Sequence, residues 1–520
     1  MNGERYKYQR HVPSNAESRW SDSNEIKNAS TIKKINVDKE SCDGCGIAMI
    51  SDGYTSYVDN SDTHTIFFGS TGSMKTRRGV MPLINTIAMA GESFIATDPK
   101  GELHHRTSGL LAARGYNTIV LNFRDMNCSS TWNPIELPYK LYQQHHVDDA
   151  VSLMNDFLTA LAEPYRKSAK DIYFIELSFS KALAYLMFFI ETASPKQANV
   201  GNFADFFASH SSPEATEEIS HCMARGSIGH INLKGVLTNK EAKSTFGNVA
   251  SGVAVMLYPF ITQKALRQML SYSSFDITKI GAEKTAIYII VPDEKTTLHF
   301  MVTAFIKQVY EVLIREAQNQ DNKKLPVRVN FILDEFCNIP SIPDMPSMIS
   351  AARSRNMRFF LMAQGMRQLW QKYGDDADTI KGNCDNWVFL TSREYELLKE
   401  ISDLCGDTSY KDLDGNIKTR PLISVSELQR LKKESGQALI LHGRHYPYVA
   451  ELPDIDEYAF MSFPPITLKK RKPYQTEKYD ADLIMSNIRN KSKPLAFSNE
   501  VHGQDKFYCK HMKNNDIFDW

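Results

Sequence analysis

The short apolar run Ile66-Phe67-Phe68 opens directly onto Gly69-Ser70-Thr71-Gly72-Ser73-Met74-Lys75-Thr76, and this junction constrains the fold more than any other stretch of the chain. A strand that ends in a glycine-rich turn and passes into a helix leaves backbone N–H groups pointing outward, where they attract an anion. Thr65 to Phe68 supply the strand, Gly69 and Gly72 the turns, and Thr76 onward the helix. Read as a phosphate-binding loop, the segment places Lys75 to reach the outer phosphates and the Thr76 hydroxyl to bind magnesium. Met74 departs from the pattern, which has glycine just before the lysine. If the Met74 backbone is helical its side chain is tolerated; if the position needs a positive φ, methionine there is strained. A serine-rich turn without nucleotide is the alternative reading of the same residues.

A second run, Val329-Asn330-Phe331-Ile332-Leu333, ends in Asp334-Glu335. Two carboxylates at the carboxyl end of a parallel strand suit a metal-nucleotide. Asp334 would hold the magnesium that Thr76 also binds, and Glu335 would orient or deprotonate the attacking water. An ordinary strand running into an acidic turn is the alternative. The next strand ends in Gln364, placed to sense the γ-phosphate or align water, and Ala351-Ala352-Arg353-Ser354-Arg355 precedes it with two candidate arginine fingers.

Three apolar runs between Thr63 and Asn122 alternate with helix-like segments, the pattern of βαβ units and a parallel sheet. Further strands are predicted at Thr285 to Val291, Val327 to Leu333, Met357 to Met362, Asn386 to Leu390 and Gln437 to Leu441. The expected organisation is a polar N-terminal arm over 1–61, a nucleotide-binding domain in two parts, 62–140 and 241–463, and an all-α insertion over 141–240 between them. Residues 464–520 are expected to be an extended or disordered tail, carrying the basic run Lys469-Lys470-Arg471-Lys472.

With 61 basic and 61 acidic residues among 520, no global field draws the chain to nucleic acid or anionic membrane, so any DNA contact must be local. The longest clean apolar run, Ala182 to Ile190, falls short of the roughly 20 residues that cross a bilayer, and the N-terminus lacks a secretory core. A cytoplasmic chain without a transmembrane segment is expected. Cys42-Asp43-Gly44-Cys45 is the sole C-x-x-C and reads as a glycine turn rather than half of a metal site.

The chain resembles the TraG-like coupling proteins of conjugative type IV secretion, relatives of the FtsK and HerA DNA translocases. The resemblance rests on Gly69 to Arg77, Thr97-Asp98-Pro99-Lys100-Gly101-Glu102-Leu103, Trp132-Asn133-Pro134, Ile290-Val291-Pro292-Asp293, Leu333-Asp334-Glu335-Phe336-Cys337-Asn338-Ile339, Ala352-Arg353-Ser354-Arg355, Gln364 and Gly382-Asn383-Cys384-Asp385. It implies a RecA-like P-loop NTPase of α/β class with a mostly parallel central sheet and an inserted all-α domain. It also implies that Gly69, Ser70, Thr71, Gly72, Ser73, Met74, Lys75, Thr76 and Arg77 bind ATP, that Thr76 and Asp334 hold Mg, and that Lys75, Glu335, Gln364 and Arg353 act in hydrolysis. Arg353 would be supplied in trans within a homo-hexamer, with Arg355 as second choice. Lys100 and Glu102 line either the phosphates or a DNA channel, or belong to a plain strand-to-helix turn.

The implied partners are single-stranded DNA bound without sequence preference, a relaxase or relaxosome, and the secretion channel proteins. Many members begin with transmembrane helices. For this chain the expectation is instead a peripheral position at the inner face of the bacterial membrane, reached through a partner or through the basic segments near Arg10 and Lys470. Two alternatives stand beside the motor: a non-hydrolysing adaptor that docks relaxase or secreted protein on the channel, and a DNA-pumping ATPase outside conjugation.

Overall fold

Short runs of β-branched and aromatic residues form the strands, and their pairing decides where the loop and the carboxylates meet. The structure, a computed structural model, describes residues 17–166, 172–411, 414 and 416–492. The basic cluster Arg5, Lys7, Arg10 and His11, and the tail beyond residue 492, lie outside the described residues.

The first three strands, β1 (Ile32–Asn36), β2 (Ala48–Ser51) and β3 (Thr55–Asp59), form an antiparallel sheet of order β1-β3-β2. This stretch, expected as a polar arm, is therefore folded from residue 22 onward, beginning with the capped helix Ser23–Lys27. Each strand has so few inward apolar residues that no run stands out in the sequence. Ile32, Ile47 and Met49 nevertheless join the main core with Ile84, Phe94 and Phe360.

The remaining strands are β4 (Thr65–Gly69), β5 (Ser93–Thr97), β6 (Asn117–Asn122), β7 (Thr285–Ile290), β8 (Val329–Leu333), β9 (Met357–Ala363), β10 (Asn386–Thr391), β11 (Asp407–Lys411), β12 (Ile417–Pro421), β13 (Gln437–His442) and β14 (Tyr448–Glu451). β11 and β12 pair as a separate hairpin. The other nine form one sheet of order β14-β13-β10-β4-β9-β8-β5-β7-β6. From β10 to β6 every pairing is parallel, while β13 is antiparallel to both β10 and β14. Strands β4, β5, β7, β8 and β9 are buried along their whole length, as expected of a sheet covered on both faces. Because β9 lies between β4 and β8, the ends of all three open on one edge of the sheet.

Helices fill the chain between β6 and β7, running from Glu136–Gln143 to Lys264–Met269. Trp132, fully buried ahead of them, donates its indole N–H to Gln308 Oε1 at 2.8 Å and so fixes their start to the helix His299–Gln318. The stretch after Phe463 has no strand or helix before Tyr479, but it is pinned. The Ile466 N–H bonds Ser108 Oγ at 2.9 Å, the Arg471 N–H bonds Asn127 O at 2.7 Å, and Tyr474 packs on Tyr272. Gly109 is required there, because a Cβ would meet the Pro464 carbonyl oxygen at 2.2 Å. The separate unit from Asp480 on holds the helix Ala481–Ser492.

The expectation of no transmembrane segment is overturned. Among the described residues three helices, Ile172–Thr192, Ser244–Thr262 and Thr296–Gln318, are long and apolar enough by length and composition to cross a membrane. A count of uninterrupted apolar residues misses them, because isolated polar residues such as Ser178 and Lys181 in the first, Ser251 in the second and Lys307 and Gln308 in the third break each run without making the segment polar on average.

Candidate nucleotide site

Strand β4 delivers the loop to the carboxyl edge of the sheet, and β10 holds it there through the Ser70 N–H bonded to Thr391 O at 2.9 Å. Gly72 turns at φ +75° and Met74 at φ +68°. The two alternatives for Met74 are thereby resolved: its backbone is left-handed, at a cost of about 1–2 kcal/mol for a side chain bearing a Cβ. The helix expected from Thr76 starts with a wide π-type turn, Thr76–Val80, before the α-helix Met81–Ala90. Gly79 lets that turn lie against β4, where an added Cβ would stand 2.8 Å from the Phe67 ring.

Lys75 is buried, and its ammonium donates to the carbonyl of Gly69. Burial lowers its pKa, opposed by the charges of Glu335 and Asp334. Ser73 is also buried, and its Oγ has no hydrogen-bond partner among the described residues. An ammonium turned back on its own loop and an unsatisfied hydroxyl beside it fit a phosphate, which would give both a charged acceptor.

Asp334 faces the loop from the end of β8. Its Oδ2 accepts from Thr76 Oγ1 at 3.0 Å, and its Oδ1 accepts from the Glu335 N–H at 3.0 Å. Burial, then the neighbouring Glu335 charge, push its pKa up to about 6. A buried carboxylate already bonded to the Thr76 hydroxyl is a donor set that fits magnesium. Glu335 adopts φ +53°, and its Oε2 accepts from Gln364 Nε2 at 2.8 Å and Asn338 Nδ2 at 3.1 Å. The Gln364 Oε1 in turn accepts from Thr71 Oγ1 at 3.4 Å. One polar chain thus runs from the loop through the end of β9 to Glu335.

Sequence reasoning missed Asn338, the side-chain part of Thr71, and Asp98. Asp98 directly follows β5 and is fully buried; one oxygen accepts the His104 N–H at 2.9 Å, the other has no partner among the described residues, and burial raises its pKa to about 6. Its signal was available in Thr97-Asp98-Pro99, a strand end neighbouring that of Asp334. Lys100 in the same motif is exposed, and Glu102 opens the helix Glu102–Ala113.

Three arginines stand apart from this group. Arg77 is committed to Asp454 through a bidentate pair and to Asp456 at 2.6 Å, while Arg78 bonds the carbonyls of Leu452 and Glu434. Both tie the start of the loop helix to the chain around β13 and β14. Arg353 lies at the opposite, amino edge of the sheet, paired with Asp385 at 3.0 Å and Asp62 at 3.3 Å. The structure brings together Gly69 to Thr76, Asp334, Glu335 and Gln364, and does not bring Arg353 to them.

The chain is similar to known proteins over most of its length. VirD4 of Rhizobium radiobacter is 23% identical over 416 residues, covering 76% of this chain and 55% of that protein. The conjugal transfer protein TraG of Escherichia coli is 22% identical over 496 residues, covering 84% of this chain and 75% of that protein. The chain thus spans little more than half the length of VirD4. Among solved structures, the plasmid coupling protein TrwB in complex with the ATP analogue ADPNP superposes with a TM-score of 0.56 at 14% identity, covering 89% of this chain and 97% of that one. The trigonal form of TrwBdeltaN70 with sulphate gives 0.60 at 13% identity, covering 88% and 97%. These likenesses show a shared RecA-like P-loop NTPase fold. The family described as type IV secretory system conjugative DNA transfer matches residues 19–495, so it takes in the loop, both carboxylates and the whole sheet, and the chain belongs to that family.

Proposed function

We propose that the chain is an ATP-driven coupling protein that moves a relaxase-bound DNA strand toward a type IV secretion channel. The observation that carries this reading is the convergence of Lys75, Thr76, Asp334, Glu335 and Gln364 at one edge of the sheet. Lys75 and the loop N–H groups hold the phosphates, and Thr76 and Asp334 hold magnesium, which neutralises phosphate charge when bound. Glu335 accepts the proton of the attacking water at a carboxylate oxygen, oriented by the amide groups of Gln364 and Asn338. Arg353 faces away from its own loop, which suits a group lent to the site of an adjacent copy in a hexameric ring. DNA contacts are to phosphates, so binding weakens steeply with salt and shows no sequence preference.

The strained Met74 favours a second reading, an adaptor of the same fold that binds partners without turnover. ATP hydrolysis measured with and without single-stranded DNA, across protein concentration, separates the two. Turnover that rises with both and vanishes in Lys75→Ala and Arg353→Ala supports the motor. Nucleotide binding without turnover supports the adaptor, and no binding refutes both as nucleotide proteins.

A further inference from the structure

Arg353 is held from the entry side of the same strand that carries the phosphate loop. Asp62 Oδ1 accepts from its Nη2 at 3.3 Å, and Asp385 Oδ2, one residue ahead of β10, accepts from its Nη1 at 3.0 Å. The three side chains are 39%, 51% and 40% exposed, so the guanidinium is steered by two carboxylates yet still open to solvent. Exposed pairs of this kind add little stability, roughly 0.2–1 kcal/mol each, and what they fix is direction.

His64, fully buried between Asp62 and β4, holds the backbone behind the arginine. Its Nδ1 accepts the Phe359 N–H at 2.9 Å, so Nε2 carries the proton and donates to Ile349 O at 2.7 Å. Ile349 lies in the helix Met345–Ala352 that runs into Arg353, and Phe359 lies in β9 that follows it. One imidazole therefore bonds both flanks of the turn Arg353–Arg355. Burial holds its pKa at about 4, which keeps it neutral and its tautomer fixed. The turn is closed by Asn356 at φ +65°, whose N–H bonds Arg353 O at 3.2 Å. From His64, β4 runs five residue steps, about 17 Å, to Gly69 and the loop.

We propose that Asp62, His64 and Asp385 are positioning residues for Arg353, aiming its guanidinium at the nucleotide site of an adjacent copy of this chain. The inference rests on the reading that Arg353 acts in trans. One strand then carries a subunit's own phosphate loop at its exit and the mount of the arginine that it lends at its entry. A misaimed guanidinium loses rate without loss of substrate binding in the subunit that bears it, because it touches a different site.

The test uses mixtures of full-length chains. Lys75→Ala disables a subunit's own loop but leaves it an arginine donor, and Arg353→Ala leaves an intact loop that needs a donor. Turnover recovered on mixing the two establishes trans action, and its absence refutes that reading together with the inference. Asp62→Asn and Asp385→Asn are then placed together in the donor or in the acceptor chain. The expected result is a fall in recovered kcat of about tenfold or more with the pair in the donor, at unchanged KM, and no fall with the pair in the acceptor. Asp385→Glu in the donor, keeping the charge, restores part of the loss. Equal effects in both chains, or none in the donor, overturn the proposal while leaving the trans reading intact.

Discussion

Replacing Asp334 by Asn should stabilise the nucleotide-free protein while removing its response to magnesium nucleotide. The folded chain holds this carboxyl at a pKa of about 6, against an ordinary value of 3.8, because burial and Glu335 disfavour its charge. A rise of roughly two units corresponds to about 3 kcal/mol that the ionised carboxylate costs the fold. The sign follows from linkage. Below pH 3.8 both states are protonated and nothing is lost; stability falls as pH rises through 6, and above that the full cost is present. Asn fits the site as a neutral stand-in. Its amide oxygen accepts the Glu335 N–H, and its NH2 donates to the Thr76 hydroxyl, which can turn to accept. For a chain of this length about 3 kcal/mol is a shift in unfolding midpoint of roughly 2–3 °C. Thermal unfolding of both proteins at pH 8 and pH 4.5, with and without magnesium and ADPNP, reads the effect. The variant should unfold at higher temperature at pH 8, with the advantage fading toward pH 4.5. Saturating nucleotide, about 2.7 kcal/mol at a hundred times Kd, should stabilise the wild type alone. A variant no more stable than wild type at pH 8, or an advantage independent of pH, refutes this account of the carboxylate.

Met74→Gly removes the left-handed strain but adds freedom to the unfolded chain, so stability should rise by no more than about 1 kcal/mol with nucleotide affinity kept; calorimetry that finds tenfold weaker binding would mean the methionine contributes contacts. Glu335→Gln keeps acceptors for Gln364 and Asn338 while removing the base, so kcat should fall about 10²–10⁴-fold with little change in nucleotide Kd, as single-turnover and binding measurements check. Glu92→Gln strips the fully buried Arg358 of its charged partner at 3.0 Å and should cost about 3 kcal/mol in denaturant unfolding. Burial pushes the Glu92 pKa up, but Arg358 and Arg328 more than offset it, leaving it below the ordinary 4.5; the pair's contribution should persist at neutral pH and vanish as pH drops through that lowered value.

Lys75, Thr76, Asp334, Glu335 and Gln364 are legible in the sequence because each lies at, or within one turn of, a junction where an apolar run stops. Such junctions are local, and their chemistry is carried by residue type and spacing. The parallel sheet was legible for the same reason, since runs such as Ser93–Thr97 and Thr285–Ile290 are buried on both faces and therefore continuous. The three strands before residue 60 were not, because each buries only alternate or scattered residues and gains its core from contacts with helices and strands far along the chain. The membrane-length helices escaped because isolated polar residues interrupt runs without lowering the average enough to matter.

What the sequence determined by itself was the inventory: a glycine-rich loop after a strand, a carboxylate pair, a glutamine at a strand end and two candidate arginines, with the order in which they occur. The tertiary structure decided which of these meet. Strand order β4-β9-β8 sets Gln364 between the loop and Glu335, and the same parallel pairing sends Arg353, in the turn ahead of β9, to the opposite edge. It also decided the sign of φ at Met74, which no spacing rule carries, because backbone conformation in a turn is fixed by where the flanking strand and helix are anchored. Pairing in a parallel sheet joins residues hundreds of positions apart, so distance along the chain says nothing about which ends become neighbours.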